Sequence, residues 1–480
     1  MSSHGKLFIG GEWVSPSSDR TITVVSASTE EVIGSVPEAV EADIDAAVDA
    51  ARRAFEDPKG WANWSAADRA TVMERFADEL EARVPDIARL VSAQNGMPIG
   101  ISTQLDAAFP SVLLRYYAGV IREASFEVEQ PALLGGTTVV RREPIGVVGA
   151  IVPWNFPQSL SAFKHAPALA AGCTLVIKPS PETVLDSVPL AEAAAAAGIP
   201  PGVINIVPGG REVGAYLVSH PGVNKISFTG STAAGRIIGE TCGRLLRPVT
   251  LELGGKSAAI ILDDAELDLG KIGQDLFQAT LLNNGQTCFL GTRVLAPRSR
   301  YDEVVEVFAA LAGSLTVGDA LDEGTQIGPM ASDRQRDRVE GYIAKGKSEG
   351  ARVVVGGGRP AGRDKGWFVE PTIFADVDNN HTIAQEEIFG PVLSLIPYGD
   401  DADAVRIAND SDFGLGGSVW TADRERGIGV ARRVQTGSIG INHYLPDPAA
   451  PFGGVKASGL GRELSPEAIS HYQQYKSIYA

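Results

Sequence analysis

The chain is poor in the residues that build disulfide scaffolds, metal clusters and nucleic-acid binders. Its 480 residues include three cysteines, Cys173, Cys242 and Cys288. An odd, widely spaced set without a CxxC excludes a disulfide framework and a zinc cluster, and suits a reducing compartment. None of the six histidines falls in a recognisable motif. Lysine and arginine number 42 against 59 acidic residues, a net charge of −17, so no basic field is available for nucleic acid or an anionic membrane surface. The N-terminus lacks a basic region followed by an apolar one, and no apolar run approaches the ~20 residues that span a bilayer. A soluble, cytoplasmic protein without a metal site is expected. At about 150 residues per domain, the length predicts two to three domains with large cores.

What is present centres on Asn283-Asn284-Gly285-Gln286-Thr287-Cys288, a cysteine in a polar, glycine-flanked segment. A thiol of ordinary pKa, about 8.5, is a few per cent thiolate near neutrality, and that form attacks carbonyl carbon readily. Free cysteine is also a common small core residue. Both readings stand on this stretch alone.

Leu7 to Val14 and Thr21 to Val25 read as short strands. Ile44, Val48, Ala51 and Phe55 share one face of a helix over Asp43 to Phe55, and Ser65 with Asp68 forms a capping box before a stripe of Val72, Phe76, Leu80 and Val84. Ser125 to Arg142 reads as a hairpin turning at Gly135-Gly136, whose exposed edges make it a candidate subunit contact. From Gly146 onward, strands at Val147 to Val152, Cys173 to Ile177, Val203 to Val207 and Lys225 to Phe228 alternate with helices such as Pro189 to Ala197. That alternation predicts a parallel sheet with crossover helices, which binds ligands at the carboxyl ends of its strands.

The loop Thr229 to Gly235 leads into a helix over Arg236 to Cys242. It suits phosphate binding at a helix N-terminus or a plain N-cap. Asn155, in Pro153-Trp154-Asn155-Phe156-Pro157, could donate to a developing oxyanion, a device worth ~10² to 10³ in rate, or satisfy a turn. Glu252, before Leu253-Gly254-Gly255-Lys256, would have its pKa raised by burial toward that of a general base, or it is a paired structural glutamate.

Together, Pro153 to Pro157, Phe228-Thr229-Gly230-Ser231, Glu252 to Lys256, Gly285 to Cys288, Glu386 to Pro391, and Pro451 to Gly454 through Ser458-Gly459 resemble the aldehyde dehydrogenase superfamily. The motifs run in the family's order over essentially the whole chain. The resemblance implies an α/β fold: a Rossmann-like cofactor-binding domain over 1–124 and 143–254, an α/β catalytic domain over 255–456, and a small β oligomerisation element from 125–142 and 457–480. It implies Cys288 as nucleophile, Glu252 as the base that activates water, and Asn155 with the backbone N–H of Cys288 as oxyanion hole. Lys164 and Glu463 match a proton-relay pair, with a surface salt bridge as the alternative.

The implied cofactor is NAD, with NADP possible. Lys178 matches a contact to the adenosine ribose, Gly230 and Ser231 the pyrophosphate loop, and Glu387 with Phe389 the nicotinamide ribose region. Val152, Trp154, Ser180, Glu182, Gly235 and Leu253 complete the implied cofactor site. Many NAD-using relatives carry glutamate where this chain has Pro181, with Glu182 one place later, so NAD is expected to be favoured only moderately. The implied reaction turns an aldehyde into a carboxylic acid through a thiohemiacetal and a thioester on Cys288, in a homodimer or homotetramer. The loop Ile441 to Pro448 leaves the aldehyde open. Trp154, Phe156, Phe289 and Phe452 are expected to line the entry, and no arginine adjoins these motifs, so apolar substrates are expected. A CoA-acylating relative would lack a glutamate at 252, a silent descendant would tolerate loss of Cys288, and a cysteine hydrolase would need a histidine partner.

Overall fold

The computed structural model describes residues 2–480. The fold is α/β, built around two large sheets. The first has eight strands in the order Gly459–Leu460, Val249–Glu252, Lys225–Thr229, Val147–Ile151, Thr174–Lys178, Ile204–Ile206, Leu7–Ile9 and Glu12–Val14. The five consecutive strands from Val249–Glu252 to Ile204–Ile206 are parallel, and antiparallel strands flank them on both sides. Runs such as Val147-Val148-Gly149-Ala150-Ile151 are buried throughout, which is why they read as continuous apolar strands rather than alternating ones.

The second sheet has seven strands, with Ala258–Ile261 between Arg293–Pro297 and Gly417–Trp420, and Gly440–Ile441 at one edge. It is parallel except for its first pair, Arg352–Val355 with Thr372–Ala375.

Helix Ala66–Glu81 opens on Ser65, whose hydroxyl accepts the Asp68 N–H at 3.1 Å. Val72, Met73, Phe76 and Leu80 are buried along one face, each contributing roughly 1.5–3 kcal/mol. Val84, expected in the same stripe, instead opens the next helix, Val84–Asn95, because Pro85 fits only a first turn. Two other boundaries shift in ways that shape the site. The strand expected over Cys173 to Ile177 ends one residue later, at Lys178, and the helix expected from Arg236 starts at Thr232, directly after Gly230 and Ser231.

A small antiparallel sheet stands apart, in the order Gln473–Tyr479, Thr137–Pro144, Glu127–Pro131. Leu133 and Leu134 at its turn, and Tyr475, Ile478 and Tyr479 on its edge, are exposed. Residues 457–472, expected within this element, do not join it. Gly459–Leu460 pairs with Leu251 and Glu252 of the first sheet, and Glu463 bridges Phe452, so the chain pairs with the first sheet and the Phe452 segment before reaching the small sheet. Among the described residues no helix is long and apolar enough to cross a membrane, and no group of three or more His, Cys, Asp or Glu could hold a metal ion.

Candidate active site

Cys288 is presented by a tight loop. Asn283, Asn284 and Gly285 adopt left-handed φ values of 52°, 60° and 73°, a conformation tolerated by glycine and, among other residues, best by asparagine. The amides that made the segment look polar fix its shape. Asn284 Nδ2 donates to the carbonyls of Gly96 at 2.8 Å and Pro329 at 3.0 Å, while its Oδ1 accepts Gly328 N–H at 2.7 Å. Gln286 Oε1 accepts Ala331 N–H, and Asn283 Nδ2 donates to the Asn155 carbonyl, both at 3.0 Å.

Half-buried Cys288 lines a cavity of about 200 Å³ with Leu105, Phe109, Phe156, Leu160, Phe163, Leu282, Phe289 and Phe452. Its only other polar lining is Asn155, Ser159 and Thr287; no charged side chain lines it. Trp154, expected at the entry, is not in that lining. It packs edge-on against Phe389, with ring centroids 5.3 Å apart.

Asn155 does not serve its own turn, since its Nδ2 donates to the Gln286 carbonyl at 3.0 Å. One amide hydrogen remains for a ligand. Glu252 ends a central strand, is 2% exposed, and its Oε1 has no hydrogen-bond partner among the described residues. Burial, then the charge of Glu463, holds its carboxyl well above the usual range, while Lys164 and Arg462 pull the other way. Burial likewise pushes the Cys288 thiol up, with Glu252 and Glu387 adding to it. The Glu252 carboxyl is thus buried with one oxygen unpartnered and a raised affinity for its proton.

The Lys164 and Glu463 pair is no surface salt bridge. Lys164 Nζ donates to Glu463 Oε1 at 2.7 Å and to Thr229 Oγ1 at 2.6 Å, and both charged side chains are buried. Removing one partner leaves a buried charge, a change that costs about 3–5 kcal/mol. Lys164→Met is therefore expected to lower unfolding free energy by about that amount in chemical denaturation; a loss under about 1 kcal/mol, the value for exposed pairs, would count against a desolvated pair.

The candidate cofactor positions gather at the carboxyl edge of the first sheet. Lys178 Nζ, buried and with its pKa lowered to about 8 by desolvation, donates to the carbonyls of Pro179 at 2.9 Å and Gly209 at 2.7 Å. Val152 N–H donates to the Lys178 carbonyl at 3.1 Å. Ser231 caps helix Thr232–Arg244 through Ala234 N–H at 3.3 Å, and the N–H groups of Thr232 and Ala233 have no partner among the described residues. The loop is thus both an N-cap and a place for an anion. Gly230 donates to the Glu252 carbonyl at 3.0 Å, and a Cβ at Gly235 would collide with Leu253. Glu182 accepts from Ser180 Oγ at 2.5 Å and Arg334 at 3.0 Å. Glu387 Oε1 accepts Gly255 N–H at 2.9 Å, folded over the segment that follows Glu252, and Phe389 holds a left-handed φ of 63°.

Residues 13–478 match the aldehyde dehydrogenase family. The chain belongs to that family. It is 58% identical over 476 residues to geranial dehydrogenase from Castellaniella defragrans, covering 99% of this chain and 98% of that one. An aldehyde dehydrogenase from Mycobacterium tuberculosis, solved with NAD+, superposes with a TM-score of 0.97 at 48% identity, over 100% of this chain and 98% of the other. Aldehyde dehydrogenase C from Pseudomonas syringae, a mutant solved with NAD+ and octanal, gives 0.94 at 39% identity, over 99% and 96%. The chain is an oxidoreductase that converts aldehydes to carboxylic acids.

Some residues that shape this aldehyde dehydrogenase site carry no local signal. Leu105 and Phe109 come from a segment far from every motif, whereas Leu160 and Phe163 lie one and two turns beyond Phe156 on helix Pro157–Ala171 and were readable from its phase. Gln335 and Arg338, on helix Asp333–Ser348, donate to the carbonyls of Phe389 at 2.7 Å and Glu387 at 2.5 Å. They steady the segment that carries Glu387.

Proposed function

We propose that this enzyme oxidises uncharged, apolar aldehydes with NAD and water through a covalent intermediate on Cys288. The observation that carries the reading is an apolar cavity whose reactive lining is Cys288 and Asn155, with Glu252 buried, one carboxyl oxygen unpartnered, and near enough for its charge to raise the pKa of that thiol. The Cys288 thiolate attacks the carbonyl carbon, and the new oxyanion is held by the free Asn155 amide hydrogen and the Cys288 N–H. When bound, the nicotinamide accepts the hydride that leaves this carbon, so the aldehyde carbon is oxidised to a thioester on Cys288. Glu252 takes a proton from water, the hydroxide displaces the thiolate, and the carboxylic acid leaves. The pair of Lys164 and Glu463 receives that proton.

The chain fits the cofactor on its own features. Two free N–H groups at the start of helix Thr232–Arg244 suit a diphosphate, Lys178 offers a buried ammonium bonded only to carbonyls, and Glu387 lies beside Gly254 and Gly255. Glu182 supplies the negative charge that disfavours a 2′-phosphate, and its ties to Ser180 and Arg334 make that preference moderate. A matrix of NAD and NADP against medium-chain, aromatic and acid-bearing aldehydes, followed by reduced-cofactor absorbance, tests both points. NAD and uncharged aldehydes should give the higher kcat/KM. A higher kcat/KM with NADP, or with a semialdehyde acid over an uncharged aldehyde of equal length, would sink the corresponding half of the reading.

The enzyme is further read as a cytoplasmic homo-oligomer. Gln473–Tyr479 and Gly440–Ile441 are unpaired sheet edges, and the second borders a cavity of about 460 Å³ lined by Ile428, Ile439, Ile441 and Leu445. Edges of this kind are normally covered. Truncation before Gln473 is expected to lower the mass measured by light scattering; an unchanged mass, or a monomer in the intact protein, would contradict this.

A further inference from the structure

Helix Pro157–Ala171 follows the Asn155 turn directly, carries Ser159, Leu160 and Phe163 into the cavity wall, and places Lys164 in its ion pair. Its own sequence provides no cap, since Phe156 occupies the N-cap without a side-chain hydrogen bond. The first N–H groups of a helix have no partner within it, and these belong to residues buried to 2% exposure at Gln158 and 4% at Ser159. Asp106 supplies the acceptor from 53 residues away: Ser159 N–H donates to Oδ1 at 2.9 Å. Gln158 N–H reaches Oδ2 at 3.4 Å.

Asp106 lies in a π-helical turn, Ser102–Ala107, a form common at functional sites. The same turn offers the Leu105 carbonyl, which accepts the Ser159 hydroxyl at 2.6 Å, and the Leu105 side chain lines the cavity with Ser159. Asp106 and Ser159 thus join two walls of the substrate cavity. Behind them Gln158 Nε2 donates to Asp186 Oδ2 at 2.6 Å and Gln94 Nε2 to Asp186 Oδ1 at 3.0 Å. Asn95 donates to the Trp154 carbonyl at 2.9 Å. The Asn95 bond ends on the turn that holds Asn155, and the bonds to Asp106, Leu105 and Asp186 hold the first turn of the helix that follows it.

We infer that Asp106 is a positioning residue: it fixes the register of helix Pro157–Ala171 so that the Asn155 amide and the cavity wall stay aligned on Cys288. The inference rests on the roles given above to Asn155 and Cys288. Burial, opposed by the Ser159 N–H and aided by the nearby charge of Asp186, raises the Asp106 carboxyl to about 8. The carboxyl therefore holds its proton more readily than a free aspartate, and its part in the helix is that of an acceptor for the Ser159 and Gln158 N–H groups.

Three variants test this: Asp106→Ala, Asp106→Asn and Ser159→Ala. Each is scored against the parent for the burst rate of NADH, the aldehyde KM, the NAD dissociation constant and the melting midpoint, on the aldehyde the parent turns over fastest. Asp106→Ala should slow the burst by about 10²-fold, the loss expected from a reacting group displaced by about 1 Å, while NAD binding is kept. Asp106→Asn retains a neutral acceptor and should recover most of the burst. Ser159→Ala keeps the N–H bond to Asp106 but frees the Leu105 wall, and should raise KM more than it slows the burst. A folded Asp106→Ala with the parental burst, or an Asp106→Asn as slow as it, overturns the inference. Should Asp106→Ala not fold, Ser159→Ala with parental KM overturns it. A parent that prefers charged aldehydes would correct the substrate reading and leave these ratios equally readable.

Discussion

Cys288→Ala is expected to abolish formation of reduced cofactor, lowering turnover by ~10⁴ to 10⁶-fold, as loss of a catalytic nucleophile does. Without the thiol no thiohemiacetal forms, and no hydride is released. The other cysteines cannot replace it. Cys173 is buried, its Sγ donates to the Tyr472 carbonyl at 3.2 Å, and burial pushes its thiol up to about 11. Cys242 sits on the buried face of helix Thr232–Arg244. Binding of NAD, read by fluorescence, should survive the substitution, because the cofactor positions lie on other strands and loops. Steady NADH production above about 1% of the parental rate would remove Cys288 from the mechanism.

Glu252→Gln should fail differently. Size and polarity are kept, but the base that activates water is gone, so rapid mixing should give at most one equivalent of NADH per site. The steady rate that follows should be lower by the ~10² to 10⁴ that a positioned base contributes. The pH dependence follows from the same group. A general base works when deprotonated, and the Glu252 carboxyl sits well above its usual range through burial and Glu463. Turnover is therefore lost as pH falls through that raised value, rather than near the ~4.3 of a free glutamate, and this acid limb disappears in Glu252→Gln. Stability carries the opposite sign. A carboxyl whose pKa is raised by folding binds its proton more tightly in the native state, so its ionisation subtracts stability as pH rises between the unfolded and folded pKa values. Glu252→Gln should accordingly melt higher than the parent near pH 8, a gain of stability bought with activity. A parental steady rate in Glu252→Gln would mean another group activates water.

The parts of this fold that came through in the sequence are those written locally. Buried parallel strands are continuous apolar runs, the Ser65 cap announces its helix, and the hairpin turns at two glycines. The candidate site was legible where a side chain is adjacent to its own reason, as with Glu252 at a strand end before Leu253 and Gly254. It was opaque where the reason lies across the fold. Asp106 caps a helix that begins some 50 residues later, a link made only by packing. Asn283 and Asn284 read as neighbours of a nucleophile, but their amides serve to hold the left-handed turn beneath it. Residues 457–472 carried no pattern to separate them from the tail, and only the pairing of Gly459–Leu460 with Leu251 and Glu252 draws their start into the first sheet.

The central claim is that oxidation passes through an acyl group on Cys288 that Glu252 helps to hydrolyse. Its most direct test is to quench Glu252→Gln with acid just after the burst and determine the mass of the peptide carrying Cys288. The account predicts that peptide heavier by one acyl group, in an amount matching the NADH formed. NADH released without that adduct, or an adduct on any other residue, would contradict it.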